Sequence, residues 1–339
     1  MSLKLKPLAE QVIVVTGASS GIGLVTARMT AAGGAAVVLA ARNEGVLKDI
    51  TADIKSRGGR AIDVPCDVGD ENAVRHLAET AIRAFGRFDT WVNNAGISIF
   101  GHVWDVPMAD WHRMFDTVYW GVVYGSLAAV RHFRDRNAPG AVVNVGSFFG
   151  DRSTALQSTY ASAKFAVHGF TDGLRMEVEH ERLPVSVSLV HPGRIDTPYN
   201  EHAGNYTPML PSHRGVIYPP EAVAEAILWC AQHPKRDMYV GSQAKLAAII
   251  GNVAPRLVDR VMEVLMYTSQ VSHNRHDNGP RSHALFEPGP DGQERGNHEP
   301  HLLRSRSYYV KATKRPVVTA AALGAAGLVL RSALRRPRA

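Results

Sequence analysis

Tyr160 and Lys164 are the residues whose types and spacing most directly suggest acid–base chemistry. They stand four positions apart in a stretch with helical patterning, so their side chains share one face of the predicted helix. A free tyrosine ionises at about pH 10, and a neighbouring ammonium group stabilises the phenolate and lowers that pKa. The pair therefore predicts a general acid and base at Tyr160, tuned by Lys164. Taken alone, a Tyr and a Lys at this spacing usually form an ordinary surface pair.

A glycine-rich segment, Thr16–Gly23, follows the first predicted strand and leads into a helical stretch. Glycines at positions 17, 21 and 23 allow a tight turn, the close approach of a pyrophosphate, and close packing of helix on strand. Backbone N–H groups at the start of the helix would then meet the phosphates. This strand–turn–helix context favours a dinucleotide site over a plain surface turn.

Arg42 ends the second predicted strand, at the point where a site selective for NAD usually carries an acidic residue. An arginine can hold the 2′-phosphate of NADP through a charge-assisted, bidentate contact. The alternative is a solvated arginine that opens the next helix. We predict NADP as the cofactor in preference to NAD.

Five motifs in a characteristic order make residues 9–241 resemble the short-chain dehydrogenase/reductase family. The motifs are Thr16–Gly23, Cys66–Val68, Asn93–Gly96, Tyr160–Lys164, and Pro192–Gly193 with Thr197 shortly after. The resemblance implies a catalytic Ser147 that orients the substrate oxygen beside Tyr160, and a Lys164 that also holds the cofactor ribose. It further implies that Asp67 contacts the adenine and that Thr197 contacts the nicotinamide carboxamide. The predicted cofactor-binding residues are Gly17, Ser19, Ser20, Gly21, Ile22, Gly23, Arg42, Asp67, Val68, Asn94, Ala95, Gly96, Tyr160, Lys164, Pro192, Gly193 and Thr197.

The same resemblance implies an NADP-linked oxidoreductase that interconverts a hydroxyl and a carbonyl group on a small molecule. Val118 departs from the family pattern, because that position usually carries an asparagine that supports a water next to the lysine. Valine has no side-chain donor or acceptor. Two interpretations stay open: a working enzyme whose proton relay uses backbone carbonyls, or a cofactor-binding scaffold or sensor with little turnover.

The residues that flank the expected pocket are mostly apolar and aromatic, which favours a hydrophobic alcohol or ketone as the substrate. They are Ile97–Phe100, Phe148, Phe149, Leu156 and Tyr199–Tyr218. The same residues could instead serve in core or lid packing. We predict no metal, because hydride transfer needs only the cofactor and a proton donor. His273, His276 and His283 cluster in a segment with no predicted rigid frame.

Short β-branched runs alternate with helix-length amphipathic stretches, the pattern of an α/β doubly wound parallel sheet, or Rossmann fold. The predicted strands are Val12–Thr16, Ala36–Ala41, Arg60–Cys66, Thr90–Asn93, Ala141–Val145, Val185–Val190 and Met238–Val240. Most are continuous apolar runs, as expected for strands covered on both faces. We predict a single catalytic domain over 9–241, a helical extension over 242–270, a disordered linker over 271–316, and a short apolar helix with a basic end over 317–339.

The chain has 339 residues and a formal net charge of +7. Its last 67 residues hold 12 Lys and Arg against 5 Asp and Glu and account for the whole excess, and we predict no nucleic-acid partner. Residues 314–339 combine basic flanks with an uncharged run at 317–330, which predicts contact with a membrane surface. A helix packed on an oligomer partner and a loosely attached tail are the alternatives. Two cysteines and no signal-like N-terminus favour the cytoplasm, and the family resemblance implies a homo-oligomer.

Overall fold

Seven parallel strands form the central sheet in a computed structural model that describes residues 3–212, 214–241, 254–276, 283–297, 307–314 and 319. The strands in chain order are β1 Val12–Thr16, β2 Ala36–Ala41, β3 Arg60–Pro65, β4 Thr90–Asn93, β5 Ile99–Phe100, β6 Gly140–Val145, β7 Val185–Pro192, β8 Gly204–Asn205, β9 Met209–Pro211, β10 Asp237–Val240 and β11 Val271–His276. The central sheet has the order β10-β7-β6-β4-β1-β2-β3, and its neighbours are parallel throughout. This order confirms the predicted doubly wound sheet.

Helices cover both faces of the sheet because the strands are apolar on both faces. The helices are α1 Gly21–Ala32, α2 Glu44–Ser56, α3 Glu71–Phe85, α4 Met108–Phe115, α5 Gly121–Arg136, α6 Ser158–His180, α7 Tyr199–His202, α8 Pro220–Cys230, α9 Pro255–Ser269 and α10 Tyr308–Lys314. In β1, Ile13 and Val15 pack with α1, α2 and α8, whereas Val12 and Val14 pack with α3, α5 and α6. Alternate residues of one strand thus enter two separate cores, as the two-residue period of a strand requires.

The carboxyl ends of the parallel strands meet at one edge of the sheet, which is where such folds bind ligands. The loops after β1, β3, β4 and β7 reach this edge and carry four of the five motifs, and the loop after β6 carries Ser147. Between α4 and α5, residues Asp116–Trp120 form a short π-helix, and its Val118 is fully buried. Turns of π-helix often mark functional sites.

Residues 283–297, here called the cleft segment, pack against the carboxyl edge of the sheet. Its Ala284 and Leu285 are buried, and Leu285 belongs to a small core with Val118 and Tyr160. Upstream of it, β11 pairs antiparallel with β9. These described residues thus hold defined positions within 271–316, where the sequence predicts a disordered linker.

The described residues cover only part of the predicted C-terminal helices. Helix α9 lies inside the predicted helical extension, and residues 242–253 lie outside the described residues. The predicted apolar helix over 317–339 also falls outside them, apart from residue 319. Within the described ranges, no helix is both long enough and apolar enough to cross a membrane.

Candidate active site

The glycine-rich turn after β1 has the geometry that its sequence predicts. Gly17 and Gly21 have φ values of 65° and 50°, in the left-handed region that glycine tolerates best. A Cβ on Gly23 would lie 2.0 Å from the carbonyl oxygen of Gly17, so only glycine allows α1 to pack this closely under the turn. Helix α1 begins at Gly21 and directs its N-terminus toward the cleft, a position suited to a phosphate.

One cavity brings together almost every residue that the sequence analysis singled out. It is lined by Gly17, Ser19, Ser20, Gly21, Ile22, Arg42, Asp67, Val68, Asn94, Ala95, Gly96, Ser147, Tyr160, Lys164, Pro192, Gly193 and Thr197. Gly23 is the one predicted site residue outside this lining, because it lies beneath the turn against Gly17. Since a Cβ at Gly17 would meet Ala95 at 2.8 Å, the turn and the loop after β4 form a cradle without side-chain bulk. The cradle fits a dinucleotide.

Ser147 and Tyr160 meet at the end of β6. The Tyr160 hydroxyl hydrogen-bonds with the side chains of Ser147 and Tyr199. The Ser147 hydroxyl oxygen also accepts a hydrogen bond of 3.1 Å from the backbone N–H of Phe149, so it caps the 3-10 turn Phe148–Gly150. The serine side chain is thereby held in one orientation toward the tyrosine.

Lys164 lies one helical turn beyond Tyr160 on α6, and both side chains are buried. Its Nζ donates a 2.7 Å hydrogen bond to the carbonyl oxygen of Val145 and lies 5.7 Å from the centre of the Tyr160 ring. Burial lowers the pKa of Lys164 to about 7. The lysine is therefore close enough to influence the tyrosine while its charge is readily lost.

The pKa of Tyr160 differs from the sequence-based expectation. Burial raises it to about 12, although the hydrogen bonds with Ser147 and Tyr199 act to lower it. The expected lowering of the Tyr160 pKa by Lys164 is absent here, because burial also favours the neutral amine of Lys164 over the charged ammonium. A lowered phenol pKa at this site thus requires a further positive charge beside the ring.

A buried chain of polar side chains continues from Tyr199 away from Ser147 and Tyr160. The Tyr199 hydroxyl donates to Gln157 Oε1 at 2.7 Å, and Gln157 Nε2 donates to Gln270 Oε1 at 2.6 Å. Gln157 also accepts from Ser98. Sequence reasoning missed Gln157 and Gln270, since an isolated glutamine carries no spacing signal. The position of Gln157 directly before the helix that carries Tyr160 was the only available hint.

Arg42 meets the cleft segment instead of open solvent. Its two terminal nitrogens donate to the backbone carbonyls of four consecutive residues, Ala284, Leu285, Phe286 and Glu287, at 2.6, 2.9, 3.0 and 3.2 Å. Burial and the nearby Arg113 lower the pKa of Arg42. The guanidinium is therefore already occupied by carbonyl oxygens at the point where a 2′-phosphate was predicted to bind.

The cleft segment continues along the predicted dinucleotide groove. Gly292 N–H donates to the carbonyl of Ser19 at 2.8 Å, and Gly21 N–H donates to the carbonyl of Gln293 at 2.8 Å. Farther on, Arg295 pairs with Glu221 at 2.6 Å. The segment thus forms an outer wall that runs from Arg42 past the glycine-rich turn.

Asp67 is paired with an arginine that the sequence analysis did not single out. Arg113 on α4 contacts both carboxylate oxygens of Asp67, at 3.2 and 2.7 Å, and also donates to the carbonyl of Leu285 at 2.7 Å. Burial acts to raise the pKa of Asp67, but the hydrogen bonds from Arg113 and from the Gly69 N–H hold it below its usual range.

The predicted substrate-pocket residues divide between the cavity and the core. Ile97, Phe149 and Tyr199 line the cavity. Ile99 and Phe100 are fully buried in β5. Some members of this apolar set therefore form a wall of the cavity, and others serve in packing.

Asp151, His168 and His191 form a cluster behind the Ser147 turn. Their oxygen and nitrogen atoms lie within 4.8 Å of one another, an arrangement that can hold a metal ion. Hydrogen bonds within the trio already use these atoms, with His191 Nδ1 at 2.9 Å and His168 Nδ1 at 3.3 Å from the Asp151 carboxylate. The absence of a catalytic metal stays a prediction.

Comparisons with known proteins agree with the fold and with the motifs. Residues 11–206 match the family model of the short chain dehydrogenases. An uncharacterized oxidoreductase of Bacillus subtilis, YxnA, is 60% identical over 338 residues, which cover 99% of this chain and 94% of that protein. The putative oxidoreductase SadH of Mycobacterium tuberculosis is 34% identical over 260 residues, covering 73% of this chain and 94% of SadH.

Solved structures show the same fold. A short chain dehydrogenase/reductase from Burkholderia phymatum in complex with NAD superposes with a TM-score of 0.68 at 23% identity, covering 75% of this chain and 96% of the other. A short-chain type dehydrogenase/reductase from Mycobacterium marinum gives a TM-score of 0.60 at 27% identity, covering 68% and 94%. The sequence motifs, the parallel sheet and these matches together show that the chain belongs to the short-chain dehydrogenase/reductase family of oxidoreductases.

Proposed function

We propose that this protein interconverts a hydroxyl and a carbonyl group on a small apolar molecule, with NADP(H) as the cofactor. The observation that carries the proposal is the meeting of Ser147, Tyr160 and Lys164 in one cavity with the glycine-rich turn. A proton donor, an orienting hydroxyl and a dinucleotide cradle thus share one continuous space.

The residues have separable roles in the proposed reaction. The nicotinamide, when bound, supplies a hydride to the carbonyl carbon or accepts one from the alcohol. Ser147 holds the substrate oxygen through its hydroxyl, and Tyr160 donates the proton to that oxygen in reduction or removes it in oxidation. Lys164 stabilises the phenolate that proton donation leaves on Tyr160, because an anion beside its Nζ favours the protonated ammonium.

Lys164 has a hydrogen-bond acceptor although Val118 supplies none. The Val118 side chain offers no hydrogen-bonding atom, but Lys164 Nζ already donates to the carbonyl of Val145 at 2.7 Å. This carbonyl, together with water that it can hold beside the lysine, would take the place of the usual asparagine in the relay. It favours the working enzyme over the scaffold with little turnover.

The NADP preference rests on Arg42 and on the lack of an acidic side chain at the end of β2. A 2′-phosphate would have to replace the four carbonyl oxygens of residues 284–287 around the guanidinium. The proposed selectivity is therefore the difference between two sets of charge-assisted hydrogen bonds, and we expect it to be modest.

The proposed substrate is apolar because Ile97, Phe149 and Tyr199 border the catalytic pair. We also propose self-association through α6, where Phe165 and Met176 expose large apolar side chains. Contact of residues 314–339 with a membrane surface, and a cytoplasmic location, remain proposals from the sequence.

The test is oxidation of NADPH by the purified full chain across a panel of apolar ketones and aldehydes, with the reverse reaction on the matching alcohols. We expect turnover of at least one apolar carbonyl compound, and none with sugars of similar size. A cofactor that binds without turnover of any compound in the panel would favour the scaffold instead.

A further inference from the structure

We propose that His168, held by Asp151, is a positioning residue that fixes the catalytic Ser147 through its backbone N–H; this inference rests on the proposed function. His168 lies on α6 four residues after Lys164 and eight after Tyr160, so the three side chains follow one face of the helix. Its ring therefore reaches the Ser147 turn from the same helix that carries the proton donor.

The contact between His168 and Ser147 is direct. The Ser147 N–H donates to His168 Nε2 at 3.3 Å. The ring fits between two glycines, because a Cβ on either Gly146 or Gly150 would come within 2.4 Å of Nε2. The sequence Gly-Ser-Phe-Phe-Gly thus leaves room for an imidazole directly behind the catalytic serine.

The charges in the cluster determine which ring nitrogen of His168 carries the proton. Asp151 is ionised, since hydrogen bonds from the two histidines lower its pKa to about 2 against the opposing effect of burial. Burial lowers the pKa of His168, so its ring is neutral. A neutral ring beside an ionised carboxylate donates from Nδ1 to Asp151 and presents the lone pair of Nε2 to the Ser147 N–H.

His191 completes the cluster from β7. Burial acts to lower its pKa, but the carboxylates of Asp151 and Asp237, at 2.9 and 3.3 Å, raise it, which favours the charged ring that can donate from both nitrogens. It precedes Pro192 directly, and its ring lies 4.7 Å from that of His168. The cluster therefore ties the serine turn, the helix of Tyr160 and the start of the Pro192–Gly193 motif into one rigid unit.

The function of this unit is orientation. The Ser147 hydroxyl must point at the substrate oxygen while the same residue caps a turn. If the Ser147 N–H loses its acceptor, the backbone at 147 is free to rotate, and the hydroxyl leaves the position next to Tyr160. A shift of this kind slows the chemical step and leaves dinucleotide binding on the far side of the cavity intact.

Two amide substitutions separate positioning from general packing. Glutamine places a hydrogen-bonding atom near the position of Nε2 and can still accept from Ser147, whereas asparagine reaches only the position of Nδ1 and can contact Asp151 alone. His168→Asn should lower kcat by roughly tenfold, the effect of about 1.4 kcal/mol on the chemical step. His168→Gln should recover most of that loss, and the KM for the cofactor should change in neither variant. His180→Asn, at the exposed end of α6, is the matched control for helix propensity.

Amide hydrogen exchange at Ser147 tests the same inference without any substrate. Exchange at the Ser147 N–H should be faster in His168→Asn than in the wild-type chain, and close to wild type in His168→Gln. Equal exchange in all three chains, or an equal loss of kcat in both variants, would overturn the positioning role. Because the exchange measurement needs no turnover, a failure of the proposed function is distinguishable from a failure of this inference.

Discussion

Replacement of Arg42 by methionine should reduce the discrimination between NADPH and NADH. Methionine keeps an unbranched apolar stem and removes the guanidinium, which now donates to the carbonyls of residues 284–287. Hydrogen bonds to a charged group contribute about 1.5–3 kcal/mol, which corresponds to a factor of about 10–150 in affinity. Since a 2′-phosphate must displace four carbonyl oxygens, the net effect should lie near the lower limit, at about tenfold.

The assay is the dissociation constant of each reduced dinucleotide, measured by its fluorescence on binding, so no substrate is needed. Arg57→Met, on an exposed arginine at the end of α2, is the control. Limited proteolysis should show faster cleavage within 283–297 in the Arg42 variant, because the cleft segment loses its four hydrogen bonds from the guanidinium. An NADPH to NADH affinity ratio that stays within twofold of wild type would refute the cofactor role of Arg42.

Three further predictions concern the glycine-rich turn and two buried charges. Gly23→Ala should lower both the melting temperature and the dinucleotide affinity, since its Cβ would lie 2.0 Å from the Gly17 carbonyl, whereas Gly45→Ala has room for the methyl group and should change neither. Asp89 is buried but accepts hydrogen bonds from Lys6 and from a backbone N–H, which hold its pKa below its usual range. The stability that this group contributes is present above about pH 4 and is lost as the pH falls. Acid unfolding of Asp89→Asn should therefore depend less on pH than that of the wild-type chain. Lys164 has a folded pKa of about 7 against about 10.4 in the unfolded chain. Between these values the unfolded chain binds one more proton than the folded chain, so the free energy of unfolding should rise with pH. Lys164→Met should abolish that rise. Equal slopes in wild type and variant would contradict the last two predictions.

The sheet was predictable because its signals are local. Each predicted strand is a short apolar run, and β1, β2 and β4 begin and end at the predicted residues. The glycines at 17, 21 and 23 also act locally, since the positive φ values of Gly17 and Gly21 and the missing Cβ of Gly23 shape a single turn. Parallel strands then place their following loops at one edge, which brings distant motifs into one cavity.

The cleft segment was not predictable from composition. Its residues are rich in glycine, proline and charge, a pattern typical of a linker. Its attachment relies on backbone carbonyls, which every residue possesses, held by Arg42 some 240 positions earlier in the chain. Such contacts leave no trace in apolar periodicity. The role of Arg42 was therefore predicted from its strand position alone, and its carbonyl partners went unseen.

The tuning of Tyr160 also required the tertiary structure. The spacing of Tyr160 and Lys164 on one helical face was readable from the sequence, and the structure confirms it. Burial of both groups was not readable, and burial raises the pKa of the phenol while it lowers that of the lysine. The same holds for His168 and Asp151, which meet only because α6 packs on the turn that follows β6.

The proton-donor role of Tyr160 is tested most directly by the reaction of Tyr160→Phe under single-turnover conditions, on a carbonyl substrate found in the panel. Phenylalanine keeps the ring and removes the hydroxyl that contacts Ser147. If Tyr160 is the proton donor, the rate of NADPH oxidation should fall by about 100- to 10,000-fold, while the dissociation constant for NADPH stays within a few-fold of wild type. An unchanged rate in this variant would show that Tyr160 is not the proton donor.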